Sequence, residues 1–245
     1  MNIGLFIPCY IDQFFPGVGV ATLQLLEKLG CRVFFPTDQT CCGQPMANSG
    51  FSDLSGKCDA NFVRNFSGYD YVVAPSGSCV LHIKEHLASP DDPDAAARIR
   101  ANIYELTEFM IDILKVERLE ARFPYRVGLH VSCHGQRGLG LSSMSERVEP
   151  VFSKPETLLH MVQDLVLMKP ARVDECCGFG GTFCVSEEAV SVKMGRDRIS
   201  EHEINDVEVI TAGDTSCLMH MEGILKRKRS RIRTMHIAEI LNANS

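Results

Sequence analysis

The chain has no surplus of positive charge, no export signal and no long apolar run, and each absence removes a class of protein. Twenty-five Lys and Arg against thirty-one Asp and Glu leave a formal net charge of −6 over 245 residues, whereas a surface built to neutralise phosphates shows as a basic domain. Nucleic acid is therefore not an expected partner. The first twenty residues hold neither Lys nor Arg, and Asp12 and Pro16 interrupt their apolar run, which fits neither a signal peptide nor a membrane span. The expectation is a cytoplasmic protein without an integral membrane segment, any attachment to the inner face of the membrane being made through partners. With 45% apolar residues it should fold around a sizeable core.

What the chain does have is eleven cysteines. In a reducing compartment, and in a domain large enough to need no staples, these read as metal or redox chemistry rather than disulfides. Eight of them fall in a pattern that occurs twice. An apolar strand ends in cysteine, Ile3-Gly4-Leu5-Phe6-Ile7-Pro8-Cys9 against Val127-Gly128-Leu129-His130-Val131-Ser132-Cys133. A triplet follows in each half, Cys41-Cys42-Gly43 and Cys176-Cys177-Gly178. Next comes a β-rich run with a small-residue turn, ending at Cys79 in the first half and at Cys217 in the second, each with a histidine three residues on, His82 and His220. A closing helical segment carries an acid in both halves, Glu108 and Glu239. Cys31, Cys58 and Cys184 have no repeat partner and are expected to be ordinary thiols, although Cys184 lies close in sequence to the second triplet.

Between these elements the apolar spacing of Val20, Leu23 and Leu26 predicts a helix stopped at Gly30, followed at once by a β-branched and aromatic run from Cys31 to Phe35. A second helix is expected at about 95–117, after a Pro- and Asp-rich loop at 89–97. Strands that are apolar throughout and alternate with helices imply an α/β fold of two tandem, pseudo-symmetric domains, each a small parallel sheet flanked by helices. Pro124 would stop a helix and admit the next strand, so the domains are placed at 1–122 and 123–245.

Parallel sheets gather ligands beyond the carboxyl ends of their strands. Cys9, the pair Cys41 and Cys42, and Cys79 can therefore converge, and likewise Cys133, Cys176, Cys177 and Cys217. Neighbouring cysteines suit a multi-iron cluster, whose separate irons they can reach, better than one tetrahedral ion. Zinc held by the same thiolates is the alternative. His82 and His220 are candidates for an extra ligand or for a hydrogen-bond partner to the sulfurs. His134, beside Cys133, is either a satisfied polar side chain or a proton handler. Gly178-Phe179-Gly180-Gly181-Thr182 lacks the Lys-Ser/Thr of a phosphate loop, and its small residues would instead let amides approach sulfur. The basic run Lys226-Arg227-Lys228-Arg229 is expected to be a solvated helix face or, failing that, a dock for an acidic partner.

Glu175-Cys176-Cys177-Gly178-Phe179-Gly180-Gly181-Thr182-Phe183, Gly213-Asp214-Thr215-Ser216-Cys217-Leu218-Met219-His220 and Pro75-Ser76-Gly77-Ser78-Cys79 resemble the signatures of the lactate-utilisation protein A family, two cysteine-rich CCG domains in one chain, related to the CCG-bearing component of heterodisulfide reductases. The resemblance implies an oxidoreductase component, the iron–sulfur electron-transfer subunit of a complex oxidising L-lactate, a small 2-hydroxyacid, to pyruvate. It implies one cluster per domain, of [4Fe–4S] nuclearity, with a ferredoxin-type iron–sulfur protein and a third subunit as partners. The chain has no Cys-x2-Cys-x2-Cys-x3-Cys-Pro run of its own. An iron–sulfur subunit of a glycolate or other 2-hydroxyacid oxidase is a further alternative. Reductase-type CCG domains end in Cys-x-x-Cys, whereas His82 and His220 stand in the last position here, so a five-cysteine site is not carried over.

Overall fold

The computed structural model describes residues 1–243 and contains two four-stranded, all-parallel sheets. The first holds β1 (Asn2–Leu5), β2 (Arg32–Phe34), β3 (Tyr71–Ala74) and β4 (Ile103–Glu105) in the order β2-β1-β3-β4. The second holds β5 (Arg126–Leu129), β6 (Val166–Met168), β7 (Val209–Ala212) and β8 (Arg233–His236) in the order β6-β5-β7-β8. Register repeats as well as order: Ile3 lies opposite Val33 and Tyr71, and Val127 opposite Leu167 and Val209. The central strands are buried on both faces, as their unbroken apolar sequence requires. Each sheet also needs a glycine at its centre. A Cβ on Gly4 would lie 2.5 Å from the Tyr69 ring, and one on Gly128 would lie 2.3 Å from the His202 ring.

One expected element is corrected. The helix anticipated at about 95–117 is two helical segments separated by a strand: Pro93–Asn102 ends, β4 pairs with β3, and helix resumes at Leu106. A three-residue strand is too short to carry a period of its own, and here the edge of β3 decides its state. Glu105 at the end of β4 then caps the next segment, its carboxylate accepting from the Thr107 and Glu108 amides. His236 does the same at the end of β8, and Glu108 and Glu239 complete both capping boxes. The acids noticed in the sequence are thus helix-start partners.

The closing helices are exchanged between halves. Ile237–Leu241 packs against Pro16–Lys28 of the first half, and Leu106–Glu108 against Lys154–Leu159 of the second. One apolar core consequently runs through both, joining Leu25, Phe109, Val127, Leu158 and Leu241. Each sheet has its own cluster on the other face, around Phe6 and Phe66 in the first and Ile199 and Met221 in the second. Among the described residues no helix is long and apolar enough to cross a membrane.

Candidate metal centres

In both sheets the winding order of the strands reverses between the two middle strands, β1 and β3 or β5 and β7, which opens a crevice at their carboxyl ends. Cys9 and Cys79 follow β1 and β3; Cys133 and Cys217 follow β5 and β7. The triplets swing in beside them. Gly43 and Gly178 both sit in left-handed backbone, φ +91° and +89°, and their amides donate to Cys41 Sγ at 3.4 Å and Cys176 Sγ at 3.3 Å. That hairpin of backbone is what lets two adjacent cysteines face one site.

The thiols of each half influence one another in series. Cys9 Sγ lies 3.8 Å from Cys41 Sγ. Contacts from the Cys42 and Cys9 thiols, then the Gly43 amide, hold Cys41 down to about 2, while the same contact with Cys41 pushes Cys9 up. Cys42 is raised by its contacts with Cys41 and Cys79 and by burial. The second half repeats this: Cys133 and Cys177 hold Cys176 down to about 2, and Cys177 is raised by Cys176 and Cys217. Even exposure matches, Cys42 and Cys79 at 3% and 8% against Cys177 and Cys217 at 2% and 8%. Four thiols gathered this closely cannot all ionise without positive charge among them, so the donor chemistry fits a cationic metal or a metal–sulfur cluster. All eight cysteines of the repeat are brought together, four to a half.

Both sets open onto one cavity of about 340 Å³, lined by every cysteine of the repeat except Cys41. Tyr10 and Phe179 meet edge to face across it at 6.2 Å, and Phe179 also meets His220 at 6.3 Å. Burial, then the neighbouring thiols led by Cys9, raises Tyr10. The halves are clasped beneath the cavity by Asp214, which starts the helix Thr215–Lys228 yet reaches into the other half. Its carboxylate accepts from Ser78 N at 3.0 Å, Ser76 Oγ at 3.1 Å and Ser132 Oγ at 2.5 Å. Hydrogen bonds to a buried charge contribute about 1.5–3 kcal/mol each.

The remaining candidates are placed as follows. His82 is buried, its ring 5.1 Å from His86, and burial lowers it; His220 Nε2 faces the Ser191 carbonyl at 3.3 Å and is lowered by burial too. His82 lies beside Gly43 of the first CCG turn, and His220 beside Gly195, itself against the Cys177 carbonyl. His134 Nδ1 stands 3.9 Å from Cys133 Sγ at the cavity wall. Cys184 also lines the cavity, its thiol donating to Gly181 O at 3.1 Å. Cys58 sits beside Gly43 and Cys31 against the shared core. Lys226 and Lys228 are exposed, paired with Glu222 at 2.9 Å and Glu203 at 2.7 Å.

One residue near the sulfurs was not singled out by its sequence. A ring nitrogen of buried His130 and the sulfurs of Cys177 and Cys217 lie within 4.8 Å of one another. The signal was a polar residue where the aligned strand has Phe6, within an otherwise apolar run.

A doubled parallel sheet with four cysteines at each switch point defines a class, and the cysteine-rich CCG domain matches residues 3–84 and 127–222. Over 249 residues, covering 100% of both chains, the protein is 41% identical to lactate utilization protein A of Geobacillus kaustophilus. The protein of the same name from Exiguobacterium sp. is 41% identical over 248 residues, 98% of this chain and 97% of that one. The chain belongs to the lactate utilization protein A family. Among solved structures, glutamate racemase isoform RacE1 from Bacillus anthracis aligns over 98% of this chain and 78% of its own, at 9% identity and a TM-score of 0.37, too low to bear on fold or function.

Proposed function

We propose that the chain is an iron–sulfur electron-transfer subunit, an oxidoreductase component of a multi-protein complex that oxidises L-lactate to pyruvate. The relatives' name supports the lactate. The observation that carries the rest is the pair of four-sulfur sets facing a single cavity. Cys9, Cys41, Cys42 and Cys79 would hold one [4Fe–4S] centre, and Cys133, Cys176, Cys177 and Cys217 the other; when bound, each supplies one-electron storage. The amides of Gly43 and Gly178 fix the orientation of the sulfurs they touch. Tyr10 and Phe179 meet edge to face between the sets, and the Asp214 clasp ties the two halves together beside them. Electrons need a further carrier, and a ferredoxin-type protein together with a third subunit fits that need.

The test is anaerobic purification with counts of iron and acid-labile sulfide, followed by an L-lactate oxidation assay of the reconstituted complex with and without this chain. Brown protein with iron in both halves and lactate-dependent dye reduction that needs the chain are expected. A colourless anaerobic preparation with stoichiometric zinc would sink the reading.

A further inference from the structure

The wall behind the two sites is built differently. Phe6 and His130 occupy the same position: Phe6 N donates to Val73 O at 2.9 Å just beyond β1, and His130 N to Thr211 O at 2.7 Å just beyond β5. Phe6 packs edge-on against Phe62 and Phe66, at 4.9 and 5.8 Å, four residues apart on one helix. The corresponding helix of the second half, Glu188–Ile204, presents Arg198 and His202, again four apart. A hydrocarbon wall has become a polar one.

Arg198 is fully buried and anchored on three sides. It donates from Nε to His130 Nδ1 at 3.1 Å, from one terminal nitrogen to Arg172 O at 2.6 Å and from the other to Leu129 O at 3.2 Å. A guanidinium only donates, so Nδ1 must present its lone pair and the ring proton resides on Nε2. That Nε2 is buried and has no partner among the described residues. The ring stands beside the Cys177 and Cys217 sulfurs, and with Nδ1 occupied by Arg198 the Nε2 proton is the one free to be donated there. A buried N–H without an acceptor costs about 1–3 kcal/mol, and metal-bound sulfur is an acceptor. The locked tautomer also argues against ligation, which would need a lone pair on Nε2.

We propose that His130, oriented by Arg198, donates a hydrogen bond from Nε2 to the sulfurs of the second centre and thereby gives that centre a higher reduction potential than the first. The inference rests on the iron–sulfur reading above. Reduction adds negative charge, which an N–H aimed at sulfur and a buried cation behind it both stabilise. Phe6 offers neither to the first site. Of one electron shared between the sites, oxidation of the first centre and reduction of the second is the downhill direction, with no bond made or broken.

The test uses the full chain, reconstituted anaerobically, with iron and sulfide counted first and the centres then followed by EPR during potentiometric titration. Two one-electron steps are expected, the higher one missing in C177S. H130F should lower that higher step alone, and H130Q, which keeps an N–H, should lower it less. Unchanged steps in both variants, or loss of the lower step in C177S, would overturn the proposal while leaving the iron–sulfur reading intact. Absence of iron and sulfide from the wild-type chain would instead overturn that reading, and the proposal with it. Should H130F fail to load, wild-type protein carrying 15N-histidine decides: a weak nitrogen coupling to the second centre that vanishes in H130Q supports a donor. A strong coupling of a directly bound nitrogen, or none, overturns it.

Discussion

The two halves share a metal-binding frame but not its surroundings. Sheet order, register, the left-handed glycine of each triplet and the exposures of the deeper cysteines repeat closely. Behind the frame, Phe6, Phe62 and Phe66 stand where the second half has His130, Arg198 and His202. Duplication preserved the arrangement of the four cysteines and let the lining behind them diverge.

The comparison breaks most sharply at the cysteines. C42S should remove iron from the first site and C177S from the second, each leaving about half of the iron and sulfide of the wild-type chain; loss of both centres in either variant would show that the sites do not load independently. Phe66→Ala should cost about 3–5 kcal/mol, the usual range for a buried aromatic, read as a lowered urea midpoint, because the first half relies on ring packing. The glycines sharpen the contrast next. An added Cβ at Gly178 meets the Ser191 carbonyl at 2.5 Å, whereas at Gly43 its nearest neighbour is the Ser55 Cβ at 3.1 Å. Both substitutions bear the left-handed strain of about 1–2 kcal/mol, but G178A should be the more destabilising, and equal midpoints would contradict the geometry.

The smallest effect concerns the two helix caps. Burial raises Glu105 to about 7, with Asp214 adding to it, and burial lowers His236 to about 4. Between its unfolded value of about 4.3 and about 7 the folded chain keeps a proton on Glu105 that the unfolded chain has released, so stability falls as pH rises through that window. His236 works oppositely: from about 4 to its unfolded value of about 6.5 the unfolded chain binds the extra proton, so stability rises with pH. E105Q should leave a steeper rise in urea midpoint below neutrality and abolish the decline towards pH 7. An unaltered profile would mean that Glu105 does not titrate there.

Much of this was readable in advance. Apolar runs ending in cysteine located β1, β3, β5 and β7, and the repeated triplets located the turns that gather sulfur. What escaped notice depends on tertiary partners. Ile103-Tyr104-Glu105 becomes a strand only because β3 offers an edge. His130 has its tautomer fixed only by Arg198, 68 residues away. The Asp214 clasp likewise joins Ser76 and Ser132 from separate loops, which no local pattern announces.

The exchanged closing helices also constrain how the protein is made. The wall that covers Pro16–Lys28 is the helix Ile237–Leu241, supplied by the other half of the chain. The opening half must therefore wait, with that face bare and prone to stick to its neighbours, until the second half has been made and folded. The final surroundings of the first four cysteines are in consequence completed only when the second half is present, and a fragment of the first half alone should aggregate more readily than the whole chain.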